Sequence, residues 1–137
     1  MGLYRYVDSK EQLLTLVPDH LLVGVVGRVR ETVSGIAALR AVADGLVDVL
    51  REHPNAAPLL ARPQSGPGMV AAAQHVVDLL AADGASPADA FEMLRAVVAQ
   101  VVGEHVTSHG GPGTLGLELL LDGVVRHMAG RRSPPPG

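Results

Sequence analysis

The chain has 137 residues and a mass of 14.2 kDa, which fits one compact domain and excludes two ordinary ones. Hydrophobic residues make up 47% and charged residues 18%, which excludes a disordered composition, and zero cysteines exclude disulfide and thiolate sites. A net charge of -3 and a pI near 6.0 provide none of the positive charge that nucleic-acid-binding surfaces usually carry.

The N-terminal half is predicted to form two long helices followed by a short one. The capping-box pattern Ser9–Gln12 begins the first helix, and Pro18 should kink it because proline has no N–H to donate. The second helix begins near Ser34 and ends at His53-Pro54, since the residue before a proline is driven away from helical angles. Asn55 is predicted to cap the short third helix.

Two further helices are predicted in the region after residue 66. Pro67 occupies a favoured first position, and the helix that it begins should end at Asp83-Gly84. Ser86–Asp89 supplies a cap, a first-turn proline and an early acidic residue, and predicts a helix that continues to about Ser108. The residues expected to face the core are Val70, Ala73, Val77 and Leu80 on the first helix, and Phe91, Leu94, Val98 and Val102 on the second.

A last helix is predicted from Thr114 to about Ala129, and residues 131–137, with three consecutive prolines, are predicted to form a disordered tail. No segment shows the alternation of polar and apolar residues that is typical of a strand. The predicted fold is therefore all-α, a bundle of about five to six helices formed by residues 9–130.

The two C-terminal helices carry more apolar surface than one core needs. A helix on the surface of a monomer needs an apolar arc of only about 100°, whereas the charges of the last helix are confined to one narrow stripe. The chain's own core could bury this surface, but we favour a homodimer in which these two helices form a four-helix bundle with their symmetry mates. On the penultimate helix, Ala96, Ala99 and Gly103 would permit close approach. The residues predicted at the dimer interface are Val97, Val101, Leu117, Leu120, Leu121, Val124 and Met128.

Polar side chains interrupt the apolar faces of four helices. A buried polar group costs about 1–3 kcal/mol unless it is paired, so these side chains predict a shared cavity that binds a small molecule. Alternatively, each is satisfied locally by the backbone, water or a helix end. The residues predicted to line the cavity are His20, His53, Gln74, Phe91 and His105. Because the chain is rich in Ala, Val and Leu, we expect an apolar or amphipathic effector.

No arrangement of residues predicts catalysis. His105 and His109 lie one helical turn apart, but no third ligand occurs at a diagnostic spacing, so we predict no metal site. Ser65 is explained by the helix start at Gly66-Pro67 rather than by a nucleophile. We therefore expect no catalytic residues, no cofactor and no enzymatic activity. The chain has no membrane-spanning run of about 18 apolar residues and no signal-peptide layout, and we expect a cytoplasmic protein.

The first fourteen residues carry the most informative pattern. Leu3-Tyr4-Arg5-Tyr6-Val7, followed by Ser9-Lys10-Glu11 and Leu13-Leu14, resembles the end of the DNA-binding module of the tetracycline-repressor (TetR) family and the start of its next helix. The remainder is similar to that family's regulatory domain in the order of its weaker signals. These are a helix ending in His-Pro, a Leu-Leu-x-Arg-Pro segment, a Gly-Pro helix start, and Asp-Gly before the penultimate helix.

The resemblance implies a homodimeric transcriptional regulator, usually a repressor, that a small molecule releases from DNA. It implies that Tyr4, Tyr6 and Lys10 contact the DNA backbone, which positions a protein without reading sequence. It also implies that the last two helices form the dimer and that the middle helices enclose the effector.

Residues 1–8 would then be the remnant of a recognition helix. Because a helix-turn-helix reads bases mainly through the front of that helix, we expect the chain as written not to bind an operator specifically. DNA would be a partner only where the rest of the module is present, which predicts either a gene start upstream of Met1 or a truncated regulator. The alternative is a stand-alone helical module that binds a small molecule, or that pairs with a full-length relative and blocks its DNA binding.

Overall fold

The computed structural model describes residues 18, 20–62, 66–107 and 115–132, and these ranges are built from helices. Six α-helices occur in them, with a 3-10 turn at Pro54–Ala56 between the second and the third. The bounds are α1 Val23–Arg30, α2 Gly35–Glu52, α3 Ala57–Leu60, α4 Pro67–Ala82, α5 Pro87–Thr107 and α6 Leu115–Arg132. No strand occurs in the described ranges, and the predicted all-α bundle is confirmed.

Several predicted helix ends are confirmed by their capping contacts. The Ser34 hydroxyl accepts a hydrogen bond from the Ala37 N–H at 3.2 Å, and the Ser86 hydroxyl accepts one from the Asp89 N–H at 3.1 Å. Gly84 follows α4 with a φ of 115°, a left-handed conformation that glycine adopts without a steric penalty.

Two predicted helix boundaries differ from those in the structure, and the N-terminal predictions lie outside the described residues. Asn55 is not the cap of the short helix, because the chain passes through the 3-10 turn and α3 begins after Ala56 without a side-chain cap. The last helix continues to Arg132, so residues 131 and 132 are helical rather than part of the predicted tail, and residues 133–137 lie outside the described residues. The segment before Pro18 lies outside the described residues, and so do Tyr4, Tyr6 and Lys10, so the kink and the DNA contacts stay predictions.

Helix α2 lies at the centre of the core. It packs against α1, α4, α5 and α6, and it buries more residues than any other described helix. The apolar surface that it covers comes mainly from aliphatic side chains, as expected for a chain with one phenylalanine and no tryptophan. The least exposed large side chains are Leu22, Val29, Leu39, Leu50, Val76, Leu80, Val97 and Leu121.

The core-facing stripes of α4 and α5 agree only in part with the predicted ones. Leu80 and Val102 are buried as predicted, and Val77, Leu94 and Val98 are half-buried against the core. On α4 the buried residues are Ala72, Val76 and Leu80, whereas Val70 is 54% exposed. On α5 the stripe that contains Ala90 and Val97 is buried, and Phe91 is 58% exposed. Both helices are apolar on several sides, so several stripes satisfy the helical period. The small side chains of Ala72 and Ala90 permit close packing against neighbouring helices.

A close contact between α1 and α2 occurs at Gly45. A Cβ atom there would lie 2.7 Å from Cγ2 of Val25, which is buried. Because valine is β-branched and restricted at χ1, it does not relieve this contact by changing rotamer. At Gly27 on α1, a Cβ atom would have nothing within 4 Å among the described residues.

We expect Gly45→Ala to leave the protein less stable than Gly27→Ala by about 1–3 kcal/mol, because only the first substitution overpacks a contact. Gly27→Ala alone should raise the free energy of unfolding by about 0.5–1 kcal/mol through helix propensity. Urea unfolding of both variants checks this, and equal stabilities would contradict the close contact at Gly45.

Candidate functional site

None of the side chains predicted to line a ligand cavity is buried. His20, His53 and Gln74 are exposed, and the Gln74 amide donates a hydrogen bond at 2.8 Å to Asp78 on the same helix. Phe91 lies on the outside of α5. No polar or charged residue is buried among those that the structure describes. The premise that these polar groups are buried is therefore wrong, and their role in binding a ligand stays a prediction.

His105 has a backbone carbonyl group as its hydrogen-bond partner. Its Nε2 lies 2.9 Å from the carbonyl oxygen of Pro54 and forms a hydrogen bond that joins the end of α5 to the turn after α2. His75 makes a similar contact at 3.1 Å with the carbonyl oxygen of Thr32, which the sequence analysis missed. Both histidines therefore have backbone carbonyl oxygens as partners, which is the alternative to ligand binding in which each polar side chain is satisfied individually. His109 lies outside the described residues.

An apolar cleft of about 380 Å³ opens elsewhere, where the start of α2, the end of α4 and the second half of α6 meet. This volume falls within the roughly 300–1,000 Å³ of typical small-molecule sites. Among the described residues of the lining, Asp83 is the charged one. The apolar lining residues are Ile36, Leu80, Val124, Val125, Met128 and Ala129.

Asp83 ties the two helix ends at this cleft together. It is the C-cap of α4, and its Oδ2 accepts a hydrogen bond at 2.9 Å from the Gly35 N–H at the start of α2. A Cβ atom at Gly35 would come within 2.6 Å of Leu80 Cδ2, so the glycine permits this close approach. One sequence signal could have identified Asp83. An acidic residue at the C-terminal end of a helix is disfavoured by the helix dipole, which indicates a partner elsewhere.

Exposed polar contacts hold both ends of α6. The Arg40 guanidinium donates to the two carboxylate oxygens of Glu118 at 2.9 and 3.4 Å, which raises the pKa of Arg40 and lowers the pKa of Glu118. At the other end, Asp89 Oδ2 accepts from Arg131 at 3.1 Å and lies 3.4 Å from His127 Nε2. Because these groups are exposed, the contacts orient α6 more than they stabilise it.

Most of the residues predicted at a dimer interface are covered by their own chain. The buried ones are Val97, Val101, Leu121, Val124 and Met128, each at most 8% exposed. Leu117 and Leu120 are half-buried. This corrects the expectation from the helical wheel, because side chains already buried in one chain have almost no surface to offer a second copy.

A different apolar surface lies on the outside of the same two helices. Of the eight large hydrophobic side chains exposed in the described ranges, five lie on α5 and α6. The helices are antiparallel, since Asp89 pairs with Arg131 and a Cβ atom at Gly116 would meet the amide of Gln100. The exposed residues that share one end of this pair are Ala99, Gly103, Val106, Leu115 and Leu119, which we name the outer hairpin face.

No known protein family, curated protein or solved structure matches this chain. The resemblance to the TetR family therefore rests on the sequence patterns, and membership stays a prediction. Within the described ranges, none of the helices combines the length and the hydropathy needed to cross a bilayer.

Proposed function

We propose that this chain is the dimerisation and effector-binding domain of a TetR-like transcriptional regulator. The observation that carries the proposal is the outer hairpin face. Val106, Leu115 and Leu119 are each at least 63% exposed, and they lie together on two adjacent antiparallel helices. Large exposed apolar side chains concentrated on one pair of helices favour an interaction surface.

The partner that we propose for the outer hairpin face is the same face of a second copy of the chain. A two-fold axis would place one α5–α6 pair against its mate and form a four-helix bundle. Ala99 and Gly103 supply small residues at which helices can approach closely, and Leu115 and Leu119 supply the apolar area. Among the residues that the structure describes, a Cβ atom at Gly103 would have nothing within 4 Å, which leaves room for a partner.

The proposed effector site lies on the opposite side of α6. Val124 and Met128 line the cleft, while Leu119 belongs to the outer hairpin face. A molecule that enters the cleft would contact the inner side of the helix that pairs the two copies. The effector could thereby change the angle between them, which is the quantity that sets the spacing of two DNA half-sites.

Sedimentation velocity tests the pairing directly. We expect a species of twice the 14.2 kDa chain mass at micromolar concentration. A chain that remains monomeric up to about 100 μM, which corresponds to an association free energy weaker than about −5.5 kcal/mol, would overturn the dimer.

A second measurement separates the leading proposal from a stand-alone module. The protein is purified from its native cells through a C-terminal tag and used to select DNA from a random library. A TetR-like regulator should enrich a palindromic sequence, because operator symmetry mirrors protein symmetry. A dimer that enriches no sequence would favour the module that binds a small molecule or blocks a relative.

A further inference from the structure

We propose that the cleft between α2, α4 and α6 binds compact apolar molecules that carry no net charge. This inference rests on the effector-binding part of the proposed function and specifies the chemistry of the effector. Three features of the cleft support it: the size of the space, the apolar side chains around it, and the hydrogen bond that its carboxylate already makes within the protein.

The size of the cleft favours a compact molecule. Its volume of about 380 Å³ lies near the lower end of the range that is typical of small-molecule sites. The lining residues come from the start of α2, the end of α4 and the second half of α6, so three separate helices form the walls. A rounded, bicyclic molecule of about ten carbon atoms therefore suits the space better than an extended chain.

The walls of the cleft favour an apolar molecule. Leu80, Val124 and Met128 are buried and belong to the core of the domain. Val125, which is 50% exposed, and Ala129, which is also exposed, line the cleft from the same helix. An apolar ligand would remove these exposed side chains from water, and such burial favours binding through the hydrophobic effect. The unbranched methionine side chain adapts to ligands of different outline.

The carboxylate of the lining already has a hydrogen-bond partner within the protein. Asp83 Oδ2 accepts from the Gly35 N–H at 2.9 Å, a contact that joins α4 to α2. Among the described lining residues the others are all apolar, so they offer a charged ligand no further ionic side chain as a partner. A charged group that enters an apolar site loses hydration, and without a partner this loss is not recovered. A net charge of either sign should therefore weaken binding.

A matched set of ligands tests this expectation. Borneol, bornylamine and bornane-2-carboxylate share one bicyclic cage and are neutral, cationic and anionic, respectively, at pH 7. Each is titrated into the full ¹⁵N-labelled chain, and backbone amide shifts are followed by NMR. We expect borneol to bind at least about fivefold more tightly than either charged relative, with the carboxylate weakest because the carbonyls at the end of α4 also repel it. The shifts should centre on the residues that line the cleft.

The salt dependence of bornylamine binding tests separately whether the cleft forms an ion pair with a ligand. Without an ion pair, the affinity for bornylamine should change by less than about twofold when the salt concentration rises from about 0.02 M to about 0.5 M. An affinity that falls several-fold over this range would show an ion pair and would contradict the uncharged class of ligand.

Two substitutions at exposed positions of the lining locate the site. Val125→Asp replaces an apolar contact with a charge, and Ala129→Phe adds a ring that competes for the space. Each should weaken borneol binding at least about fivefold. The matched controls are Val70→Asp and Ala71→Phe, at exposed positions on α4 outside the described lining, and they should leave the affinity unchanged.

Borneol that binds no better than bornylamine, or an affinity for borneol that is unaltered in both cleft variants, would overturn the inference. Absence of binding by all three molecules to an intact dimer would overturn it too, while leaving the proposed dimer in place. If the chain is monomeric but borneol binds in the cleft as expected, the proposed dimer fails and the ligand site stands.

Discussion

Leu119→Asp is expected to convert the dimer into a folded monomer. The Leu119 side chain is 63% exposed in the single chain, so aspartate is tolerated there by the isolated fold. In the proposed dimer, the substitution would place an unpaired carboxylate in an apolar contact once in each copy. Burial of an unpaired charge costs several kcal/mol, and we expect the dimer to weaken at least about a hundredfold.

Sedimentation velocity and far-UV circular dichroism measured together check this expectation. The sedimenting mass should halve while the helical signal is retained. Val70→Asp is the matched control, because Val70 is similarly exposed but lies on α4, outside the outer hairpin face. A Leu119→Asp protein that remains dimeric would place the interface on another surface.

The Leu119→Asp variant also tests whether ligand binding in the cleft is independent of dimer formation on the opposite side of α6. The cleft residues Val124 and Met128 face inward, so the monomeric variant should keep its affinity for a ligand of the cleft within about threefold. If the monomer loses the ligand as well, the cleft depends on the second copy. The effector would then bind only to the assembled dimer, and binding would be linked to dimerisation.

Helix ends could be predicted from the sequence because their signals are local. Ser34 and Ser86 accept hydrogen bonds from backbone amides three residues away. Pro67 favours the start of α4 because its ring fixes φ near the helical value and its missing N–H is not needed there. Each of these signals is complete within one helical turn. The all-α class follows from several such signals in succession, whatever the packing of the helices.

The orientation of α5 could not be predicted in the same way. Phe91 and Val97 lie on different stripes, and both stripes have the helical period. The neighbours α2, α4 and α6 decide which stripe is buried, and the stripe that contains Val97 is the covered one. On a helix that is apolar nearly all round, periodicity shows that a core face exists without identifying it.

The candidate site depends on contacts that are distant in sequence. Asp83 and Gly35 are 48 residues apart, and His105 and Pro54 are 51 residues apart. No local pattern predicts either pairing. From the sequence, His105 was predicted to contact a ligand, and Asp83 was predicted only to end a helix. In the structure, His105 bonds to the Pro54 carbonyl and joins two helices, and Asp83 lines the cleft.

Leu121→Ala is expected to produce the largest loss of stability on α6. Leu121 is 1% exposed and belongs to the same core as the buried residues of α2 and α5. Truncation of a buried leucine removes its transfer free energy and leaves a cavity, at a cost of about 2–5 kcal/mol. Such a loss is a large fraction of the 5–15 kcal/mol that is typical of a domain, so the last helix could detach well before the others unfold.

Urea unfolding in the monomeric Leu119→Asp background isolates this effect, because dimer formation would otherwise add concentration-dependent stability. Leu115→Ala in the same background is the matched control. Leu115 is 71% exposed on the same helix, and its truncation should change stability by no more than about 0.5 kcal/mol. Similar losses at both positions would mean that α6 does not dock on the core through Leu121. That result would contradict both the inner wall of the cleft and the outward orientation of Leu119, because both depend on the docking of α6 through Leu121.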